Sequence, residues 1–271
     1  MKKRTFLRLL ATALAVPLLA LAAGCGPRKA RANHLRVGVI AGAEERLAEA
    51  AVKVARERHG LEVELVVLSD YNIPNAALDQ GDIDANAFQH RPFLDAQVRD
   101  RGYKIVAVGN TFVYPLAAYS KRIKSVSALA DGATVAVPND PTNLGRALLL
   151  LAREGLLALR PGAGIDATVL DIAANPKKLR IAELDAAHLP RALPDVDLAI
   201  INTTYASQID LNPARDGLFV EGKDSPYVNL IVAREDNKDS PEVRNFVKAY
   251  QSDEVLAAAG RIFPGGFVQG W

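Results

Sequence analysis

The chain has 271 residues, 49% hydrophobic and 24% charged, which fits one large or two modest globular domains and excludes a disordered or collagen-like chain. Its net charge of +2 arises in the first 24 residues, where Lys2, Lys3, Arg4 and Arg8 meet no acid. The remainder carries 29 basic against 31 acidic side chains, so the compositional support for a nucleic-acid partner disappears.

Residues 1–24 run from that basic start through an apolar stretch, broken by Pro17, to small residues before Cys25. The stretch is too short to span a bilayer comfortably and has the layout of a secretory signal. Cys25 is the only cysteine, which excludes an intrachain disulfide and a thiolate metal cluster. Residues 25–33 read as a polar tether.

Leu35, Val37 and Val39 then alternate as a strand. Leu47, Ala50, Ala51, Val54 and Ala55 follow at helical spacing up to Gly60, and Val63, Leu65 and Val67 alternate again. This β–α–β order predicts a parallel sheet with helices on its faces. The series continues with a helix over 74–80, a strand over 83–87, a helix over 92–100 and a strand over 105–108. Residues 112–120 read as an extended crossing segment, because Pro115 disfavours a central strand position.

A second β/α series has a strand at 134–137 and a helix over 142–154. Residues 168–172 and 198–201 read as strands with helical patches between them. An apolar extended stretch covers 227–233, and helices over 241–250 and 253–261 close the chain. The two series echo each other: Asp82-Ile-Asp84 and Asp195-Val-Asp197 each precede an apolar strand. Turn or strand-edge acids explain these pairs better than a metal site, since no histidine cluster accompanies them.

The loop after residue 137 holds Asn139, Thr142 and Asn143, with Arg146 one turn into the helix. A helix N-terminus with unpaired N–H groups and a nearby guanidinium makes a seat for a carboxylate. No nucleophile accompanies it, and His90 matches no triad spacing with His34, His59 or His188. The pattern suits holding a small acid rather than transforming it.

Eight motifs follow in order: Ser69-Asp-Tyr-Asn-Ile-Pro-Asn75, Asn86-Ala-Phe-Gln-His-Arg-Pro-Phe93, Val113-Tyr-Pro-Leu116, Pro138-Asn-Asp-Pro-Thr-Asn-Leu-Gly-Arg-Ala147, Asn175-Pro-Lys177, Pro190-Arg191, Ile200-Ile-Asn-Thr203 and Pro226-Tyr-Val-Asn-Leu230. Together they resemble the NlpA family of methionine-binding lipoproteins, and the resemblance spans essentially the whole chain. Leu21-Ala-Ala-Gly-Cys25 resembles a lipobox, although Ala22 stands where leucine is usual. The resemblance implies an α/β, two-lobed periplasmic-binding-protein type 2 fold with two interlobe crossings. Lobe I would comprise 34–114 and 228–271, and lobe II 115–227.

It further implies a non-enzymatic receptor for an ABC permease and its ATPase, with L-methionine or a close analogue as ligand. D-methionine, another apolar amino acid and a methionine-containing dipeptide are alternatives on the same fold; a surface lipoprotein with mainly an interaction role is the different-class alternative. The receptor would be a monomer without cofactor or metal, held in the cell envelope by lipid on Cys25 and facing the periplasm or exterior. Arg146 would take the ligand carboxylate. Asn143 would be an N-cap or a ligand contact, and Asn202 and Asn229, at strand ends, would bind the zwitterion. Tyr71, Phe88, His90 and Tyr114 would line the side-chain slot, where a thioether packs well on aromatic edges. Phe93 stands where the family commonly has tyrosine.

Overall fold

The computed structural model describes residues 32–222 and 225–271. The expected signal peptide, Cys25 and all but the last two residues of the tether lie outside them. The first strand, β1 (His34–Ile40), leads through α1 (Ala43–His59) to β2 (Glu62–Leu68). Gly60 ends α1 in the left-handed conformation at φ 59°, which a side chain would resist. Then come α2 (Pro74–Asp79), β3 (Ala85–His90), α3 (Arg91–Arg101) and β4 (Ile105–Val113).

The next strands, β5 (Ala117–Tyr119) and β6 (Thr134–Pro138), precede α4 (Pro141–Arg153). After β7 (Ala158–Leu159), β8 (Ile172–Ala174) and β9 (Arg180–Leu184) come α5 (Leu189–Ala192), β10 (Leu198–Ile201), α6 (Thr203–Ala206), α7 (Pro213–Asp216) and β11 (Phe219–Val220). The chain closes with β12 (Val228–Arg234), α8 (Pro241–Tyr250), α9 (Asp253–Ile262) and β13 (Val268–Gln269).

Two sheets organise these elements. One has the order β13-β4-β12-β3-β1-β2, the other β11-β5-β10-β6-β9. The chain leaves the first sheet after β4 and returns to it at β12, so it crosses twice, once through residues 114–116 and once between the end of β11 at Val220 and the start of β12 at Val228. Helices α1, α8 and α9 bury Leu47, Phe246 and Val255 against the first sheet. Helix α4 buries Leu144, Leu148 and Leu151 against the second. A further cluster joins Ile40, Phe88 and Phe93 to Tyr119, Ile201 and Tyr205 across the gap between the sheets.

The sheets are mixed, not purely parallel as the β–α–β order predicts. Strands β1, β2 and β3 are parallel, but β12 runs antiparallel to both β3 and β4. In the second sheet β5 runs antiparallel to β10. The crossings cause this, because each segment that changes sheet enters its new sheet from the opposite end.

The echo between the two series has a physical basis. Asp84 accepts the Arg36 N–H at 2.9 Å while its own N–H donates to Arg36 O at 2.8 Å. Asp197 accepts the Thr134 N–H at 2.8 Å and donates back to Thr134 O at 3.0 Å. In both halves the second aspartate of the pair hooks an incoming strand to the start of its parallel neighbour. That hook explains why the strand expected at 83–87 begins at Ala85 instead.

Two local expectations are corrected. Residues 168–172 do not form a strand: Thr168 and Asp171 close a capping turn, with Thr168 N–H and Oγ–H both donating to Asp171 Oδ2 at 2.8 and 2.9 Å. The side chains thereby outcompete sheet pairing, and only Ile172–Ala174 is extended. Strand β9, pairing parallel with β6, lies where helical patches are expected. It is a half-exposed edge strand, whose mixed Arg180-Ile-Ala-Glu-Leu184 sequence carries a weak periodic signal.

Candidate functional site

The eight residues expected to hold a ligand all line one cavity between the sheets: Tyr71, Phe88, His90, Tyr114, Asn143, Arg146, Asn202 and Asn229. Glu44, Gln89, Phe93, Thr203 and Thr204 complete its wall. Aromatic rings and a few converging polar groups make up this lining, the make-up of a small-molecule site.

The local sequence explains how each wall is held. Phe88, Gln89 and His90 end β3, and a buried amide cluster fixes the loop that carries Tyr71 to this strand. Asn75 Nδ2 donates to Gln89 Oε1 at 2.8 Å, and Gln89 Nε2 donates back to Asn75 Oδ1 at 2.6 Å. Asn86 Nδ2 donates to the same Asn75 oxygen at 3.0 Å. The Tyr71 ring then lies 5.7 Å from Phe88, 6.1 Å from Phe93 and 4.8 Å from Tyr205. Asn229 sits at the start of β12, not at a carboxyl end. Because β12 is antiparallel to β3, Asn229 pairs with His90, so it reaches the same rim.

The polar wall is ordered by a chain of hydrogen bonds. Asp140, not Asn143, caps α4, and its Oδ1 accepts the Asn143 N–H at 2.9 Å. The Asn143 Nδ2 group donates to both Asp140 oxygens at 3.0 Å. A carboxylate only accepts, so Asn143 Oδ1 must point away, where it meets Asn202 Nδ2 at 2.8 Å and His90 Nε2 at 3.2 Å. His90 Nδ1 accepts the Phe93 N–H at 3.2 Å, which places the ring proton on Nε2 as donor to Asn143. Burial first, and the Arg146 charge second, push the imidazole down to about 3. Both nitrogens of this neutral ring are engaged, so it is not a free base. The chain ends at Asn202 Oδ1, a buried acceptor with no partner among the described residues.

Arg146 is 4% exposed and is held by Glu221. Its Nε donates to Glu221 Oε1 at 2.9 Å and its Nη2 to Glu221 Oε2 and to Tyr114 O, the latter at 3.0 Å. The Tyr227 ring lies beneath it, with the guanidinium carbon 4.3 Å from the ring centre. The open helix terminus and free guanidinium fork expected from sequence are therefore both occupied by the chain's own acids, Asp140 and Glu221. Arg146 lines the cavity, and among the described residues its hydrogen bonds run from Nε and Nη2, with none from Nη1.

Hydrogen bonds also cross between the lobes around the cavity. Asn72 Nδ2 donates to Asp185 Oδ2 at 3.2 Å, Gln208 Nε2 to Ala41 O at 2.8 Å and Thr204 Oγ1 to Glu44 Oε1 at 2.6 Å. Thr203 Oγ1 donates to Pro115 O in the first crossing at 2.6 Å. With His90–Asn143, these contacts describe a closed cleft.

Sequence reasoning missed Glu44, Asp140 and Glu221. Glu44 and Glu45 look like ordinary helix-dipole partners in the first turn of α1, and Glu221 is an isolated acid with no periodic context. Tyr227 lies within a quoted motif, so its signal was present.

The NlpA lipoprotein family model matches residues 35–271. The D-methionine-binding lipoprotein MetQ of Escherichia coli (strain K12) is 64% identical over 250 residues, covering 92% of each chain. A nutrient-binding protein from Burkholderia cenocepacia, solved bound to methionine, is 52% identical with a TM-score of 0.86, covering 88% of this chain and all of that one. A periplasmic substrate-binding protein of an ABC transporter from Coxiella burnetii is also 52% identical, with a TM-score of 0.85 over 87% of this chain and all of the other. The two-lobed α/β fold is thus shared with these solved structures.

Proposed function

The chain belongs to the NlpA lipoprotein family, and from that premise we propose that it is the lipid-anchored receptor of an ABC importer, capturing methionine between its lobes. The observation that carries this reading is the pairing of an unpartnered acceptor with a guanidinium on the lining of one cavity. Asn202 Oδ1 is buried without a partner among the described residues, which suits an α-ammonium, and the Arg146 guanidinium on the same lining would take a carboxylate. Asn229 Nδ2 is used by Phe88 O at 3.1 Å, so its Oδ1 is a second acceptor. Opposite, Tyr71, Phe88 and Phe93 form an aromatic slot, and burying an apolar side chain there is worth roughly 1.5–3 kcal/mol.

Lobe I as 34–114 and 228–271, and lobe II as 115–227, would close around the ligand because both contribute contacts. The closed form would be what the permease recognises, and lipid on Cys25 would keep the receptor at the membrane. Among the described residues no helix is long and apolar enough to cross a membrane.

A thermal-shift screen of the lipid-free protein tests the reading with both methionine enantiomers, other amino acids and glycyl-methionine. Stabilisation by methionine is expected. Stabilisation by the dipeptide alone would overturn the free amino acid as ligand.

A further inference from the structure

Glu44 takes no part in the zwitterion clamp, yet it lines the same cavity. It is the second residue of α1 and is 2% exposed. Its Oε1 accepts the Thr204 hydroxyl at 2.6 Å across the cleft. Its Oε2 is buried and finds no partner among the described residues. Burial pushes this carboxyl up to about 8, against the opposing Thr204 bond, so at neutral pH it is a neutral acid. Because Oε1 already accepts from Thr204, the proton belongs on Oε2, which makes the unpartnered oxygen a donor.

The groups around it do not supply an acceptor charge or a counter-ion. The Glu44 carboxyl acts on Tyr71, Tyr114, Tyr205 and Tyr250, and burial raises all four phenols above their ordinary value. Glu45 beside it is engaged with the Gly42 N–H at 3.1 Å. Arg146 and Asp140 act on Tyr71 but do not figure among the influences on Glu44. An O–H donor left buried without a partner is costly, so a ligand atom that accepts from it is selected over one that does not. In the aromatic slot beside Tyr71, a thioether sulfur is such an acceptor, if a weak one. A methylene of similar size is not.

Resting on the methionine reading above, we infer that Glu44 is a specificity-determining residue: its neutral carboxyl donates to the ligand's side-chain sulfur and separates a thioether from its hydrocarbon isostere. Calorimetric titration with methionine and norleucine tests this on wild type, Glu44→Gln and Glu44→Met at about pH 6.5 and about pH 9.5, on either side of the Glu44 titration. The quantity read is the methionine-to-norleucine affinity ratio, in which titration of the ammonium common to both ligands cancels.

Wild type should lose roughly threefold to tenfold of that ratio on going to the higher pH, the worth of one neutral hydrogen bond. Glu44→Gln keeps both a donor and an acceptor and should hold the ratio at both pH values. Glu44→Met should show the low ratio throughout. A wild-type ratio that does not change with pH, or a high ratio in Glu44→Met, overturns the inference. So does an equal loss of both ligands in Glu44→Gln, which would place the ligand's ammonium on an ionised Glu44. If neither ligand binds wild type, the methionine reading fails first and the inference falls with it.

Discussion

Replacing Arg146 by alanine should have two separable consequences, because the guanidinium serves both the cavity and Glu221. The first is on binding: one charge-assisted hydrogen bond to the ligand carboxylate is worth roughly 1.5–3 kcal/mol, or about ten- to hundredfold in affinity. The second is on stability. The Arg146 and Glu221 side chains are 4% and 12% exposed, so alanine leaves a largely buried carboxylate alone. Breaking a buried pair from one side costs roughly 3–5 kcal/mol, equivalent to about 6–20 °C in Tm for a domain of this size. Adding Glu221→Gln removes the stranded charge. The double variant should therefore regain much of the lost Tm without regaining methionine affinity. Thermal unfolding and titration calorimetry on wild type and both variants read the two effects. Near-wild-type methionine affinity in a folded double variant would refute the role given to Arg146.

Further outcomes follow from the same geometry. The raised pKa of Glu44, about 8, stabilises the fold fully below its ordinary value and loses that contribution as pH rises; the depressed pKa of His90, about 3, stabilises above its ordinary value and loses it as pH falls. The slopes oppose between about pH 4.5 and 6.5, so ligand-free stability should fall by about 2 kcal/mol from pH 6.5 to 8 through Glu44. Denaturant unfolding should show that limb in wild type and a flat one in Glu44→Gln; a flat wild-type limb contradicts a buried neutral Glu44. Asn143→Ala removes the partner of Asp140 Oδ2, His90 Nε2 and Asn202 Nδ2 while Asp140 Oδ1 keeps the backbone N–H, and should cost roughly 1–3 kcal/mol for each polar group left buried and unpaired, read by urea unfolding alongside weakened methionine binding. Gly145→Ala would put a Cβ 2.0 Å from Ile165 O, a backbone atom that cannot rotate away; a loss of roughly 1–3 kcal/mol in urea unfolding is expected, and an unchanged midpoint would show that the 165 loop yields freely.

Much of this was legible in the sequence because the informative features are local. Helix α8 begins at Pro241 and ends at Tyr250, the bounds expected from the sequence, and Ser240 caps it. Strand β10 likewise occupies 198–201. The eight residues expected to hold a ligand were readable because a family resemblance tied short motifs together, and all eight line one cavity. What escaped were pairings between distant segments. Nothing near Arg146 in sequence announces Glu221, and helical spacing alone does not distinguish a solvated Glu44 from one buried between two lobes. The antiparallel return of β12, which carries Asn229 to the end of β3, is likewise a property of topology and leaves no local pattern.

The central claim is that the cavity is built for methionine. Mass spectrometry of small molecules released on denaturing the protein as purified tests it most directly. Methionine should be released from wild type and be strongly depleted from the Arg146→Ala, Glu221→Gln double variant. A different molecule released in stoichiometric amount from wild type, or equal release of methionine from both proteins, would contradict the account.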